Sequence, residues 1–185
     1  MEKLTIRFGA VAGIILLAAL SRLIPHPFNF TPIGAMGLFG AAYFSKRQWA
    51  FIIPGASLWL SDLILNNVVY REYYPTFTLW PGTLLTTYLP FALIILMGFI
   101  TLKKVNFTNV LGSSLSASVI FFLVSNFFVW LNSANYPQNA TGLMLCYTSG
   151  LPFFKNGILG DLFYSGVLFG AFELAKRRFP RLSLS

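Results

Sequence analysis

Charge is what this chain has least of: Asp, Glu, Lys and Arg make up only 10% of its 185 residues, too few to cover the surface of a water-soluble domain. A soluble globule is excluded on that ground alone. Cysteine and histidine are scarcer still, with one of each, Cys146 and His26. A single cysteine cannot close an internal disulfide or build a thiolate metal cluster, and a single histidine cannot supply an HExxH motif or a histidine cage. No glycine-rich loop of the phosphate-cradling kind is present, so any nucleotide-driven step needs another protein.

What the chain has in excess is apolar surface. Hydrophobic residues make up 56% of it, with 20 Phe, 8 Tyr and 4 Trp, and the mean hydropathy is +0.71. These values fit a polytopic membrane protein embedded in the lipid bilayer. A spanning helix takes about 20 residues, so the length allows roughly five to seven spans and no extramembrane domain. The net charge of +8 would suggest nucleic acid in a soluble protein. In a membrane protein it reads as topology, and no nucleic-acid partner is expected.

Six spans are predicted, at about 8–24, 33–44, 49–65, 83–102, 110–131 and 157–175, in one all-α membrane domain covering 1–185. Residues 8–21 carry no charge, and Pro25 and Pro27 stop the first run. Lys3 and Arg7 ahead of it also suit a signal peptide, but everything downstream is equally membrane-like, which favours a retained span. The second span is short and rich in Gly and Ala, suited to close helix packing. Pro54-Gly55 predicts a kink in the third. Residues 132–156 have no spanning pattern, and a short interfacial helix over 141–149 is expected within that last outer loop.

With six spans, both termini and the loops near 46 and 103 share one side. Lys3, Arg7, Lys46, Arg47, Lys103, Lys104, Lys176, Arg177, Arg178 and Arg181 then lie there, ten of the 13 cations. Only Arg22, Arg71 and Lys155 fall on the other side. The positive-inside bias places both termini in the cytoplasm, in a bacterial inner membrane. The three outer loops, 25–32, 66–82 and 132–156, are aromatic and amide-rich. They suit a lid over a small-molecule pocket, and equally an interfacial aromatic belt.

Polar residues within the spans weigh on that choice. Arg22, Asp62, Asn126 and Asp161 each lie near the outer end of a span, at one depth. Ionised groups there should face inward and pair. One reading is a bridge from Arg22 to Asp62 or Asp161 that pins helices, and the other is a polar floor that orients a ligand. The candidate ligand-binding set is Asn126, Trp130, Asp62, Asp161, Arg22, Asn29, Tyr136, Phe153 and Asn156. Cys146 and His26 are the candidates for contacting a metal-containing ligand, although packing and a local hydrogen bond explain them more simply. No resident cofactor is expected. Glu173 and Arg177, four apart, suit an exposed helix pair.

Residues 150–161 (GLPFFKNGILGD), with 126–130 (NFFVW), Tyr136-Pro137 and 29–36 (NFTPIGAM), are similar to a family of small, uncharacterised bacterial integral membrane proteins. The six-span pattern with a basic tail resembles the S components of energy-coupling-factor (ECF) vitamin transporters. That resemblance implies a non-enzymatic, substrate-binding subunit that captures a micronutrient of the vitamin or corrinoid class from outside. It also implies a transmembrane coupling protein with ATPases as partner, docking on small residues of the first helix, here Gly9, Ala10 and Gly13. Two rivals stand beside it. One is a structural or assembly protein. The other is a membrane-embedded enzyme on a hydrophobic substrate, for which Asp62, Asp161, His26 and Cys146 show no dyad spacing.

Overall fold

The computed structural model describes residues 2–80 and 84–183, and among them every regular element is helical. The elements are α1 (Glu2–Leu20), α2 (Ile33–Tyr43), α3 (Arg47–Ile64), α4 (Leu89–Thr101), α5 (Phe107–Asn132) and α6 (Ala140–Arg178). Single π-helical turns extend α3 over Leu65–Val69 and precede α4 over Leu84–Tyr88. The expected start of the fourth span at residue 83, and residues 81–82 of the loop before it, lie outside the described residues. Five helical stretches are long and apolar enough to cross a membrane: Thr5–Leu23, Arg47–Val69, Leu84–Thr101, Phe107–Asn132 and Ala140–Arg178. These point to a multi-pass membrane protein.

The second of the six expected spans differs in kind. With 11 residues, α2 is about 16 Å long against a hydrocarbon core of about 30 Å, so it cannot cross alone. It is instead the axis of the bundle. It packs on α1, α3, α4, α5 and α6, and all its residues from Ile33 to Gly40 are buried. Its composition permits this. A Cβ at Gly37 would press on Phe91 and Ile95 of α4 at 3.1 and 3.2 Å, and one at Gly40 would meet Pro54 of α3 at 2.9 Å. Bare backbone on several sides lets the outer helices close around it.

The last helix corrects a second expectation. No separate interfacial helix occupies 141–149; that stretch is the start of α6, which runs unbroken for 39 residues, about 58 Å. The last loop shrinks to residues 133–139. The Asn139 side chain caps the new start by accepting from the Gly142 N–H at 2.9 Å, and Phe122 of α5 packs on both Tyr147 and Phe154. Pro152 and the glycines therefore do not break the helix, because Pro152 sits on its exposed side while Gly150 and Gly160 serve close contacts.

Helix direction alternates, so six ends meet at one basic pole. There Phe8 packs on Phe44 and Trp49, Arg47 lies over Phe99, and Ser113 bonds Thr101. Arg7 donates to the Tyr43 carbonyl at 3.1 Å, and the Tyr43 hydroxyl donates to Glu173 at 2.6 Å. Glu173 pairs with Lys176 at 2.8 Å rather than with Arg177. This pole is tied across α1, α2 and α6 by polar bonds around a buried aromatic cluster of Phe39, Tyr43, Phe169 and Phe172.

Candidate functional site

At the opposite pole the short axis helix leaves the bundle hollow. Residues 24–32 enter between α1 and α2 as irregular chain, turned at Asn29, which adopts φ 62°, a left-handed conformation that Asn tolerates. This segment lies against α6 where that helix has no side chains: a Cβ at Gly160 would collide with Thr31 and Phe30 backbone at 2.9 and 3.1 Å. Asn156 donates to the Phe28 carbonyl at 3.0 Å, and Phe28 meets Phe153 edge-on. The chain then turns into α2 at the level of Asp161.

Asp161 is the polar centre of that floor. Its carboxylate accepts the Ser118 hydroxyl at 2.6 Å and the backbone N–H groups of Gly34 and Ala35. A residue of α6 thus caps the first turn of α2, where the peptide dipoles favour negative charge. Gly34 is required by this contact, since any Cβ there would overlap the carboxylate. Below it, Ser165 bonds Ser114, which continues the small-residue seam between α5 and α6.

Above this floor is a cavity of about 520 Å³. Its walls are Phe121, Phe122, Val129, Phe153, Phe154 and Tyr136, and its polar lining includes Arg22, Asn29, Ser118, Ser125, Asn126 and Asp161. Both the volume and the mixture suit a small organic molecule, with apolar walls for affinity and a few polar groups for orientation. Among the expected residues, Arg22, Asn29, Asn126, Tyr136, Phe153, Asp161 and Cys146 line it. Asn126 donates to the Phe122 carbonyl at 2.8 Å, and its carbonyl oxygen faces Gly150, where a Cβ would come within 2.6 Å.

Other expected residues lie elsewhere. Trp130 donates to the Pro137 carbonyl at 2.9 Å, and its own carbonyl accepts from Gln138, so it fastens the 133–139 turn outside the cavity wall. Asn156 holds the 24–32 segment from behind. His26 faces the neighbouring Pro27 carbonyl at 3.0 Å, while Cys146, on the cavity wall, turns its thiol to the Asn126 carbonyl at 3.4 Å. Among the described residues no group of three or more His, Cys, Asp or Glu is arranged to hold a metal ion. On α1, a Cβ at Gly9 or at Gly13 would meet nothing within 4 Å, so that face is open within the monomer.

Asp62 belongs to a second, smaller chamber. It pairs with Arg22 at 2.6 Å and accepts the Tyr88 hydroxyl at 2.9 Å, while Arg22 also donates to Ser61 at 2.5 Å. The pair is nearly dry, with side-chain exposures of 11% and 9%. The chamber, about 170 Å³, is lined by Arg22, Asp62, Leu65, Asn66, Tyr70, Tyr74 and Thr87. The loop after α3 contributes here and not to the main cavity; Asn67 holds it by bonds to Leu63 and Thr78, and Trp59 by one to Leu79.

Sequence reasoning missed Ser118, Ser125, Thr86, Thr87 and the Phe121-Phe122 pair. Small hydroxyl residues inside an apolar helix carry little signal, and two adjacent phenylalanines read as lipid-facing mass. The helical period offered one clue: Ser118, Phe122, Ser125 and Val129 follow three- and four-residue steps along one face of α5.

No curated protein and no solved structure matches the chain. A family model does, from residue 2 to residue 182, and it supports the family part of the expected resemblance without reaching a transporter. On that match over nearly its whole length, the chain belongs to DUF6580, a family of unknown function.

Proposed function

We propose that this protein is a substrate-binding membrane subunit that captures a small micronutrient from the outer side of a bacterial inner membrane, in the manner of an ECF S component. The observation that carries this reading is the 520 Å³ cavity created by the short axis helix, with aromatic walls and a polar floor set by Asp161. A bundle built only to pack would fill its axis with a full-length helix. Movement of the ligand across the membrane then depends on a separate coupling protein with ATPases, and the α1 surface around Gly9 and Gly13, with Ala10 half-buried against the core beside them, is the surface offered to it. Within the vitamin or corrinoid class, the volume favours a single or fused ring system over a corrinoid macrocycle, which needs more room.

The test is mass spectrometry of small molecules extracted from protein purified in mild detergent. The expected result is a specific ring compound recovered with the native chain and lost from Ser125→Phe, which fills the cavity without touching the ion pairs. Recovery of a partner protein and of no small molecule from either chain would instead support an assembly role.

A further inference from the structure

Arg22 stands between the two cavities: it lines both, as does Thr87. Its guanidinium has five N–H donors in a planar fork. Both of its bonds among the described residues, to Ser61 and to Asp62, leave through Nη1. Nε is buried without a partner. With Nη1 engaged, the Nε–Nη2 edge is the one left to take a planar pair of oxygens in bidentate fashion. Asn66, on the wall of the small chamber, repeats the pattern: it is only 7% exposed, and its side-chain nitrogen also has no acceptor. Two unmatched buried donors on neighbouring walls are costly, since each unmade bond leaves a desolvated N–H. Charge adds direction. Asp62 already offsets Arg22, and its other oxygen is taken by Tyr88. The seam therefore has two buried donors to spare, Arg22 Nε and the Asn66 amide nitrogen.

We propose that the seam formed by Arg22, Asn66 and Thr87 is a subsite for an acceptor-bearing planar group, a carboxylate or a carboxamide, on the molecule that fills the main cavity. This rests on the binding reading above and adds the chemistry of the ligand: an aromatic body among Phe121, Phe122 and Phe153, and an oxygen-bearing arm reaching the small chamber. An ammonium group placed there would face the Arg22 cation and leave both buried donors, Arg22 Nε and the Asn66 amide nitrogen, unmatched, so amines are disfavoured.

The experiment uses three probes of one ring on the full-length protein in detergent: indole-3-acetate, indole-3-acetamide and 3-methylindole, with binding followed by ligand-observed NMR. The expected order is the acetate or acetamide binding about tenfold or more tighter than 3-methylindole, the difference made by one well-formed bond to a buried donor. The relative affinity of acetate and acetamide separates the charged from the neutral arm. Asn66 lies outside the main cavity, so Asn66→Leu should remove most of that preference and leave 3-methylindole unchanged. Equal binding of all three probes, or a preference untouched by Asn66→Leu, overturns the subsite while leaving the cavity reading in place. Failure of every probe to bind the native chain overturns both.

Discussion

At the scale of single residues, Arg22 is the side chain on which most of the polar pole depends. It sits where water is scarce, paired with Asp62 on one edge and unmatched on the other. Removing one partner of a buried ion pair leaves the other charge stranded, at about 3 to 5 kcal/mol, whereas removing both is far milder. Arg22→Met should therefore lower thermal stability in detergent sharply, and the double change Arg22→Met with Asp62→Asn should recover much of the loss. Lys155→Met, on an exposed position, should move stability by no more than about 0.5 kcal/mol. If the double variant unfolds no later than Arg22→Met alone, the pair is not the source of the effect. Pairing of Arg22 with one of two acids was legible in the sequence, because an intramembrane cation needs an anion. Which acid was not, since Asp62 and Asp161 share a depth, and only the cap that Asp161 makes on α2 separates their roles.

At the scale of elements, α2 and α6 carry the lesson together. The spans of α1, α3, α4 and α5 were legible because continuous apolar runs of spanning length have few alternatives in lipid. The role of α2 was not, because a glycine-rich short run shows that neighbours come close without saying that five of them do. The length of α6 was hidden for the opposite reason: Gly150, Pro152 and Gly157 look like punctuation in sequence, yet Pro152 is exposed, Gly157 is half-buried in ordinary contact with the Asn29 carbonyl, and Gly150 makes room for Asn126. The join between the two helices can be tested by adding one carbon atom. Gly34→Ala places a methyl group on the Asp161 carboxylate and should cost more than about 1 kcal/mol, since the cap or the helix must shift. Gly55→Ala, inside α3 with open space around it, should gain about 0.5 to 1 kcal/mol from helix propensity. Unfolding midpoints of the two variants on either side of the native value would bear this out, and a harmless Gly34→Ala would place the carboxylate elsewhere.

At the scale of the whole molecule, the two poles differ in chemistry as well as position. One gathers Arg7, Lys46, Arg47, Lys103, Lys104 and the Lys176–Arg178 cluster around helix ends that are tightly tied. The other holds the cavities and the aromatic loops. If the basic pole faces the cytoplasm, as expected from the charge bias, the cavity opens outward, where a nutrient would be met. An inverted protein would present its pocket to the cytoplasm and could not capture anything from outside, so orientation and proposed function stand or fall together. Labelling of single cysteines in intact cells, on a Cys146→Ala background, decides it. A membrane-impermeant maleimide should reach Cys placed at Asn135 or Thr76 without permeabilisation, because both are exposed at the cavity pole. Cys placed at Lys46 or Lys103 should react only after the membrane is opened. Reaction of the Lys103→Cys variant in intact cells would reverse the bundle and remove capture from outside as a function for the cavity.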